Sequence, residues 1–174
     1  KAEHFNQYFA GLAARISMNI PNTQNSFQDF LKIDKENASL FLKPTTVSEI
    51  IKFVLSLNSS KSSGSDDIAP RVVKDCIHVI AEPLCDVFNK SMSQGIVPDN
   101  LKIAKVVPVY KKGDDKNIEN YRPIALLPIF SKLLEKIMYE RLNSFLSHRG
   151  TLIPQQFGFR KNLSTSMGVL NLTN

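Results

Sequence analysis

The sequence predicts an α+β fold that is mostly helical, in which several helices support one antiparallel β-hairpin. Apolar residues recur at helical spacing over several stretches, the longest of which runs from 128 to 148. Two short apolar runs, 104–110 and 121–127, flank a connection rich in Gly, Asp and Asn, which is typical of two strands joined by a turn. With 174 residues, of which 43% are hydrophobic, the chain is long enough to bury a core.

Local start and stop signals place the helices. Thr46 and Glu49 match a capping box at the start of one helix. Pro70 suits a first helical turn and Pro83 predicts the start of another helix, so that 70–95 is expected to form two short antiparallel helices. The other predicted helices cover 2–16, 128–148 and a last turn or two from Ser164 or Thr165.

Two regions are expected along the chain. Residues 1–45 would form an N-terminal helix and an irregular segment, because 21–43 has turn formers and scattered aromatic residues without a clear period. Residues 46–174 carry the remaining helices and the hairpin.

The net charge of +6 is concentrated in the second half of the chain. Residues 102–161 contain twelve Lys and Arg against five Asp and Glu. A localised positive surface is the expected footprint of a protein that holds a nucleic-acid backbone. The alternative is a solvated basic face without a ligand.

The sequence has no clear metal site. Cys76 and Cys85 lie on apolar faces with no histidine at ligand spacing, which predicts free, buried thiols. Asp66 and Asp67 form an acidic pair, but no apolar strand precedes them. One of the two is therefore expected to cap the next helix rather than bind a metal ion.

Cations stand at the base of the hairpin tip. Lys111 and Lys112 directly follow the first strand, and Arg122 lies near the start of the second. A guanidinium group binds phosphate oxygens through two parallel donors and an ammonium group adds a mobile charge, so this combination suits a triphosphate. Pro108 and Pro123 cannot donate a ladder hydrogen bond, so each strand is expected to have an edge that faces solvent or a partner. The alternative is that a surface hairpin carries lysines for solubility and to discourage edge pairing.

Five sequence blocks follow one another between Lys61 and Thr165. They are K-S-S-G-S-D-D-I from Lys61, G-I-V-P-D-N-L-K-I-A-K-V-V-P-V-Y-K-K-G-D from Gly95, N-Y-R-P-I-A-L-L from Asn120, S-K-L-L-E-K-I-M-Y-E-R-L from Ser131 and Q-Q-F-G-F-R-K-N-L-S-T from Gln155. In this order the blocks resemble the reverse transcriptases of non-LTR (LINE-type) retrotransposons. The segment F-N-Q-Y-F from Phe5 is a weaker match to the same family.

The resemblance implies that the chain is the fingers portion of a right-hand polymerase, whose hairpin closes over the incoming nucleotide. By that likeness, Lys111 or Lys112 and Arg122 would contact the triphosphate of the deoxynucleotide. The residues that would line the path of the RNA template are Lys61, Gly64, Gln156, Phe159 and Arg160. Two positions depart from the family's pattern, with Ser65 for a common proline and Asn162 for a common glycine.

The resemblance also implies the reaction, which is RNA-directed DNA synthesis. A polymerase needs a pair of Mg²⁺ ions held by carboxylates. In this family the carboxylates come from an apolar strand bearing an Asp and from a later aromatic-x-Asp-Asp hairpin, and the sequence contains neither. We therefore expect a chain that is truncated before the catalytic palm, binds no Mg²⁺, has no catalytic residue and does not polymerise DNA alone.

The implied partners are an RNA template, a DNA primer, a dNTP and the palm and thumb of the polymerase, in the cytoplasm and the nucleus. No membrane partner is expected, since no apolar run approaches the ~20 residues of a membrane span. The alternative function is a non-catalytic RNA-binding or structural module derived from such an element.

Overall fold

The computed structural model describes residues 1–21, 26 and 39–173. The helices are α1 (Ala2–Ser17), α2 (Val47–Ser56), α3 (Pro70–Gln94), α4 (Ile129–His148) and α5 (Thr165–Thr173). The strands are β1 (Lys105–Tyr110) and β2 (Tyr121–Leu126), and short 3-10 turns cover Asp99–Lys102 and Ile118–Asn120. The helical α+β class with one antiparallel hairpin is confirmed. Most of the predicted irregular segment 21–43 lies outside the described residues.

The core lies between α2, α3 and α4. Its buried apolar residues are Ile50, Phe53, Val54, Val73, Ile77, Ala81, Phe88, Ile129, Leu133, Leu134 and Ile137. Burial of each large aliphatic side chain stabilises a fold by about 1.5–3 kcal/mol. The apolar stripes of these helices therefore provide most of the packing that holds them together.

Pro83 lies inside α3, so the prediction of two antiparallel helices in this region is wrong. A proline within a helix leaves the carbonyl four residues earlier without its helical hydrogen bond, and that carbonyl belongs to Val79. Val79 is 81% exposed and Pro83 is exposed as well, so water can bond this carbonyl. The buried face continues across the proline from Val73 to Phe88, and its packing favours one continuous helix.

Of the two predicted helix caps, the one at the start of α2 is present and the one at the start of α3 is not. The Thr46 hydroxyl accepts a hydrogen bond from the Glu49 N–H at 3.2 Å, as the capping motif predicts. Asp66 instead accepts from the Ile68 N–H at 3.2 Å, within the loop before α3. The N-cap of α3 is Ala69, which makes no side-chain cap bond. The prediction that Asp66 or Asp67 caps this helix is therefore wrong, because the chain runs on past both residues before the helix begins.

Both cysteines are free thiols, as predicted. Cys76 is exposed, so the prediction that it is buried is wrong, because it stands outside the buried stripe of α3 that includes Val73, Ile77 and Ala81. Cys85 is half-buried, and its thiol donates to the Thr45 carbonyl at 3.4 Å.

The hairpin carries a proline in the middle of each strand. Its register places Pro108 opposite Pro123. The Lys111 N–H donates to the Asn120 carbonyl at 2.8 Å, and hydrogen-bonded pairs alternate with non-hydrogen-bonded pairs along an antiparallel ladder. The two prolines therefore form a non-hydrogen-bonded pair whose ring nitrogens face the outer edges. Each edge lacks an N–H at this point, which discourages pairing with another strand.

The helix α1 contacts the hairpin through aromatic rings. Phe5 meets Tyr121 edge-on with ring centroids 5.1 Å apart, and Tyr121 meets Tyr110 at 5.7 Å. These rings belong to the hairpin face on which Pro108 and Pro123 also lie, because side chains alternate between the faces of a strand. In the part of the chain that the structure describes, no helix is long and apolar enough to cross a membrane.

Candidate nucleic-acid interface

The three cations that the sequence assigns to a triphosphate stand at the tip end of the hairpin. Arg122 lies in β2 opposite Val109, and Lys111 and Lys112 directly follow β1. All three side chains are exposed. Within the described ranges, none of them forms an ion pair with another residue. Their charges are therefore open to an anionic ligand.

The register decides which lysine shares a face with Arg122. Lys111 is two residues beyond Val109, the partner of Arg122, and its N–H extends the ladder by one more bond to Asn120. Since alternate residues of a strand project from the same face, the ladder places Lys111 diagonally from Arg122, a relationship in which Cα atoms usually lie about 7–8 Å apart. Lys112 lies beyond the ladder, in the bend of the tip. The sequence left the two lysines as alternatives, and of the two Lys111 is the one that shares a face with Arg122.

Side chains at the ends of both strands hold the tip, a feature that the sequence analysis missed. The three hydrogen bonds are Tyr110 Oη to the Gly113 carbonyl at 2.5 Å, Asn120 Nδ2 to the Asp114 carbonyl at 2.8 Å and Tyr121 Oη to the Asp115 carbonyl at 2.8 Å. We call this set the carbonyl clamp. Its signal in the sequence is the tyrosine at each strand end next to the tip.

Gly64 is buried against the junction of β2 and α4. A Cβ at Gly64 would lie 2.3 Å from the Pro128 nitrogen and 2.5 Å from the carbonyl carbon of Leu127. Gly64 therefore has a packing role, and its contact with template RNA stays a prediction. Lys61, in the same loop, is exposed.

The two phenylalanines of the loop before α5 have different environments, since Phe157 is packed and Phe159 is exposed. Phe157 packs against Gly168, at which a Cβ would lie 3.4 Å from the ring. Phe159 has a positive φ of 60° and is fully exposed. Asn162, where the family commonly has glycine, also has a positive φ of 65°, a conformation that Asn tolerates better than most residues. The Phe159 ring is thus presented to solvent, where a base could stack on it.

The other two template candidates in this loop differ in exposure and in side-chain hydrogen bonding. Gln156 is exposed. Arg160 is half-buried and donates from Nη1 to the Ile153 carbonyl at 3.1 Å, which ties its side chain to its own loop. One guanidinium edge is therefore used internally, and the rest can reach a phosphate.

Hydrogen bonds connect some of the candidate regions and not others. Ser65 Oγ donates to the Ile103 carbonyl at 3.4 Å, which joins the loop of Lys61 to the segment that leads into β1. No hydrogen bond between described residues joins the loop 151–163 to the hairpin. The candidate residues therefore do not form one bonded cluster.

The described acidic residues do not form a metal site. No three or more His, Cys, Asp or Glu side chains among them are placed to hold a metal ion. The carboxylate set that a polymerase uses for Mg²⁺ has no counterpart in this part of the chain.

Comparison with known proteins finds no matching family model. The probable RNA-directed DNA polymerase from transposon BS of Drosophila melanogaster is 35% identical over 136 residues, which are 78% of this chain and 15% of that protein. The RNA-directed DNA polymerase from mobile element jockey of Drosophila funebris is 27% identical over 164 residues, which are 91% of this chain and 17% of that protein. This chain is related to the non-LTR retrotransposon reverse transcriptases.

The relationship to non-LTR retrotransposon reverse transcriptases confirms the family that the five blocks predicted. A further relative is a putative 115 kDa protein in the type-1 retrotransposable element R1DM of Drosophila melanogaster, 35% identical over 117 residues, which are 66% of this chain. The chain spans only 11% to 17% of the length of these three relatives.

Proposed function

We propose that this chain holds the incoming deoxynucleotide and the template RNA for a non-LTR retrotransposon reverse transcriptase, as the fingers portion of that polymerase. Lys111 and Arg122 grip the triphosphate, and Lys112 adds positive charge at the tip. The residues that line the template path are Lys61, Gln156, Phe159 and Arg160, and the buried Gly64 shapes the loop that carries Lys61.

One observation carries this proposal, namely the exposed face that Lys111 shares with Arg122. A guanidinium offers two parallel donors to phosphate oxygens, and an ammonium nearby adds a mobile charge. Surface lysines kept for solubility need no common face, whereas a triphosphate needs several cations within reach of one polyanion. The family relationship supports the same function.

The rest of the polymerase would supply the chemistry. Its carboxylates would hold the Mg²⁺ ions that activate the attacking hydroxyl and neutralise the leaving pyrophosphate. This chain would hold the nucleotide and the template for that reaction. Its partners would be the RNA template, the DNA primer and the palm and thumb, in the cytoplasm and then in the nucleus during integration.

Binding of dTTP to the chain tests the proposal. Isothermal titration calorimetry would compare the double variant Lys111→Ala/Arg122→Ala with a control, Lys52→Ala/Arg71→Ala, which removes one exposed lysine and one exposed arginine from α2 and α3. We expect the hairpin variant to bind dTTP at least about tenfold more weakly than the control, because charge-assisted hydrogen bonds are lost.

Equal dTTP affinity in the two double variants would contradict the proposed nucleotide grip. If RNA affinity then still depends on the loop of Phe159 and Arg160, the non-catalytic RNA-binding module becomes the better explanation. A primer-extension assay with the chain alone should yield no product, and synthesis of DNA would show that the chemistry does not need another part of the polymerase.

A further inference from the structure

Asn120 is the central member of the carbonyl clamp. Its carbonyl accepts from the Lys111 N–H at 2.8 Å, while its amide donates to the Asp114 carbonyl at 2.8 Å. Gly113 passes directly over this amide, since a Cβ on Gly113 would lie 2.6 Å from Asn120 Nδ2. The φ of Gly113 is +98°, so the turn also depends on a residue without a Cβ. One side chain thus anchors the tip immediately beyond the two lysines.

The backbone of Lys112 is therefore held from both sides. On one side the ladder ends at Lys111, and on the other the clamp captures the carbonyl of Gly113. A flexible tip would have to be ordered when a ligand binds, and that ordering costs affinity. An anchored tip presents its cations in one arrangement before the ligand arrives.

We propose that Asn120 is a positioning residue for triphosphate binding, acting through the tip backbone on Lys111 and Lys112. The inference rests on the proposed function of the hairpin cations. Asn120 itself need not touch the phosphates, because its amide is used by the Asp114 carbonyl.

Two isosteric substitutions separate the donor role from the effect of charge. Asn120→Asp replaces the amide by a carboxylate, which cannot donate to the Asp114 carbonyl and is repelled by it. Asn117→Asp adds the same charge within the same tip. However, Asn117 Oδ1 accepts from the Glu119 N–H at 3.0 Å, a role that a carboxylate keeps. The second variant is therefore a matched control.

The experiment is a calorimetric titration of the full chain with inorganic triphosphate. We expect Asn120→Asp to bind about 5- to 20-fold more weakly than Asn117→Asp, as for the loss of one hydrogen bond that orders a site. Arg122→Gln is titrated alongside, with an expected loss of about 10- to 100-fold. If Arg122→Gln has no effect, the proposed function itself fails. If Arg122→Gln weakens binding while the two Asn variants bind equally, only the role of Asn120 is overturned.

Tyrosine fluorescence reports on the structure of the hairpin tip. If Asn120 acted on another part of the fold, the emission of the tyrosines at the tip would not change. The chain has four tyrosines and no tryptophan, and the hydroxyls of Tyr110 and Tyr121 belong to the clamp. The emission should differ from the parent chain in Asn120→Asp and not in Asn117→Asp. Unchanged emission in both variants would overturn the inference.

A second variant covers the case in which Asn120→Asp unfolds. Tyr121→Phe removes one clamp donor and keeps the ring that meets Phe5. Its affinity for inorganic triphosphate should fall severalfold at an unchanged thermal midpoint, because the core lies in α2, α3 and α4. An affinity for inorganic triphosphate equal to that of the parent chain would contradict the proposed role of the carbonyl clamp in binding.

Discussion

Arg141 in α4 and Glu49 in α2 form a doubly hydrogen-bonded ion pair between residues 92 positions apart. Arg141 Nη1 donates to Glu49 Oε1 at 2.5 Å and Nη2 donates to Oε2 at 2.7 Å. Thr45 Oγ1 also donates to Glu49 Oε2, at 2.6 Å, and Arg141 Nε donates to the Lys43 carbonyl at 3.1 Å. The pair therefore ties the segment before α2 to two of the three core helices.

Replacing Glu49 should destabilise the fold. In Glu49→Gln the partly buried guanidinium loses its anionic partner, and we expect the free energy of unfolding to fall by about 2 kcal/mol. The control is Asp86→Asn, which removes the exposed pair with Lys90 and should cost less than about 0.5 kcal/mol. Urea unfolding at neutral pH measures both, and equal losses would show that the Glu49 pair has no special weight.

The ion pair between Glu49 and Arg141 predicts that the stability of the fold depends on pH. The hydrogen bond from Arg141 is the main cause that lowers the pKa of Glu49 below its ordinary 4.5, against an opposing effect of burial. A carboxyl group with a lowered folded-state pKa stabilises the fold above its unfolded pKa, and that contribution is lost as the pH falls through the folded value. The stability difference between the parent chain and Glu49→Gln should therefore be constant near neutral pH and shrink below about pH 4.5. Urea unfolding across this range checks it, and a difference that stays constant into acid would contradict the assignment.

Gly64→Ala should destabilise the chain because its Cβ would collide with the backbone of Pro128. We expect a loss of about 1–3 kcal/mol, the usual cost of adding a methyl group to a packed interior. Gly158→Ala is the matched control, since a Cβ there meets nothing within 4 Å and its φ is not positive. Thermal and urea unfolding of both variants measures the effect. A Gly64 variant as stable as the Gly158 variant would mean that the loop moves away from Pro128 at little cost.

Phe159→Ala should weaken RNA binding without changing stability. The ring is fully exposed and packs on nothing that holds the fold. Loss of one stacked base corresponds to about 5- to 150-fold in affinity for single-stranded RNA. Fluorescence anisotropy with a labelled single-stranded RNA measures the loss. The control is Phe41→Ala, which removes another exposed phenylalanine. An equal loss of RNA affinity in both variants would contradict a specific contact between Phe159 and the template.

Much of the local structure could be predicted from the sequence. Apolar periodicity and turn-forming residues act over a few residues, so α1, α4 and both strands lie close to their predicted limits. The cations at the hairpin tip were also identified, because their placement depends only on the order of residues along the two strands. Pro83 misled the same reasoning, since the packing of α3 on both sides of the proline outweighs its local preference.

By itself the sequence determined the helical class, the single hairpin, the five blocks that mark the family and the cations at the tip. Only the tertiary structure decided that Gly64 meets Pro128, that Glu49 pairs with Arg141 and that Lys111 shares a face with Arg122. The physical reason is that these relationships depend on the register of a ladder or on contacts between residues far apart in the chain. A local pattern of residues carries no information on either until the chain has folded.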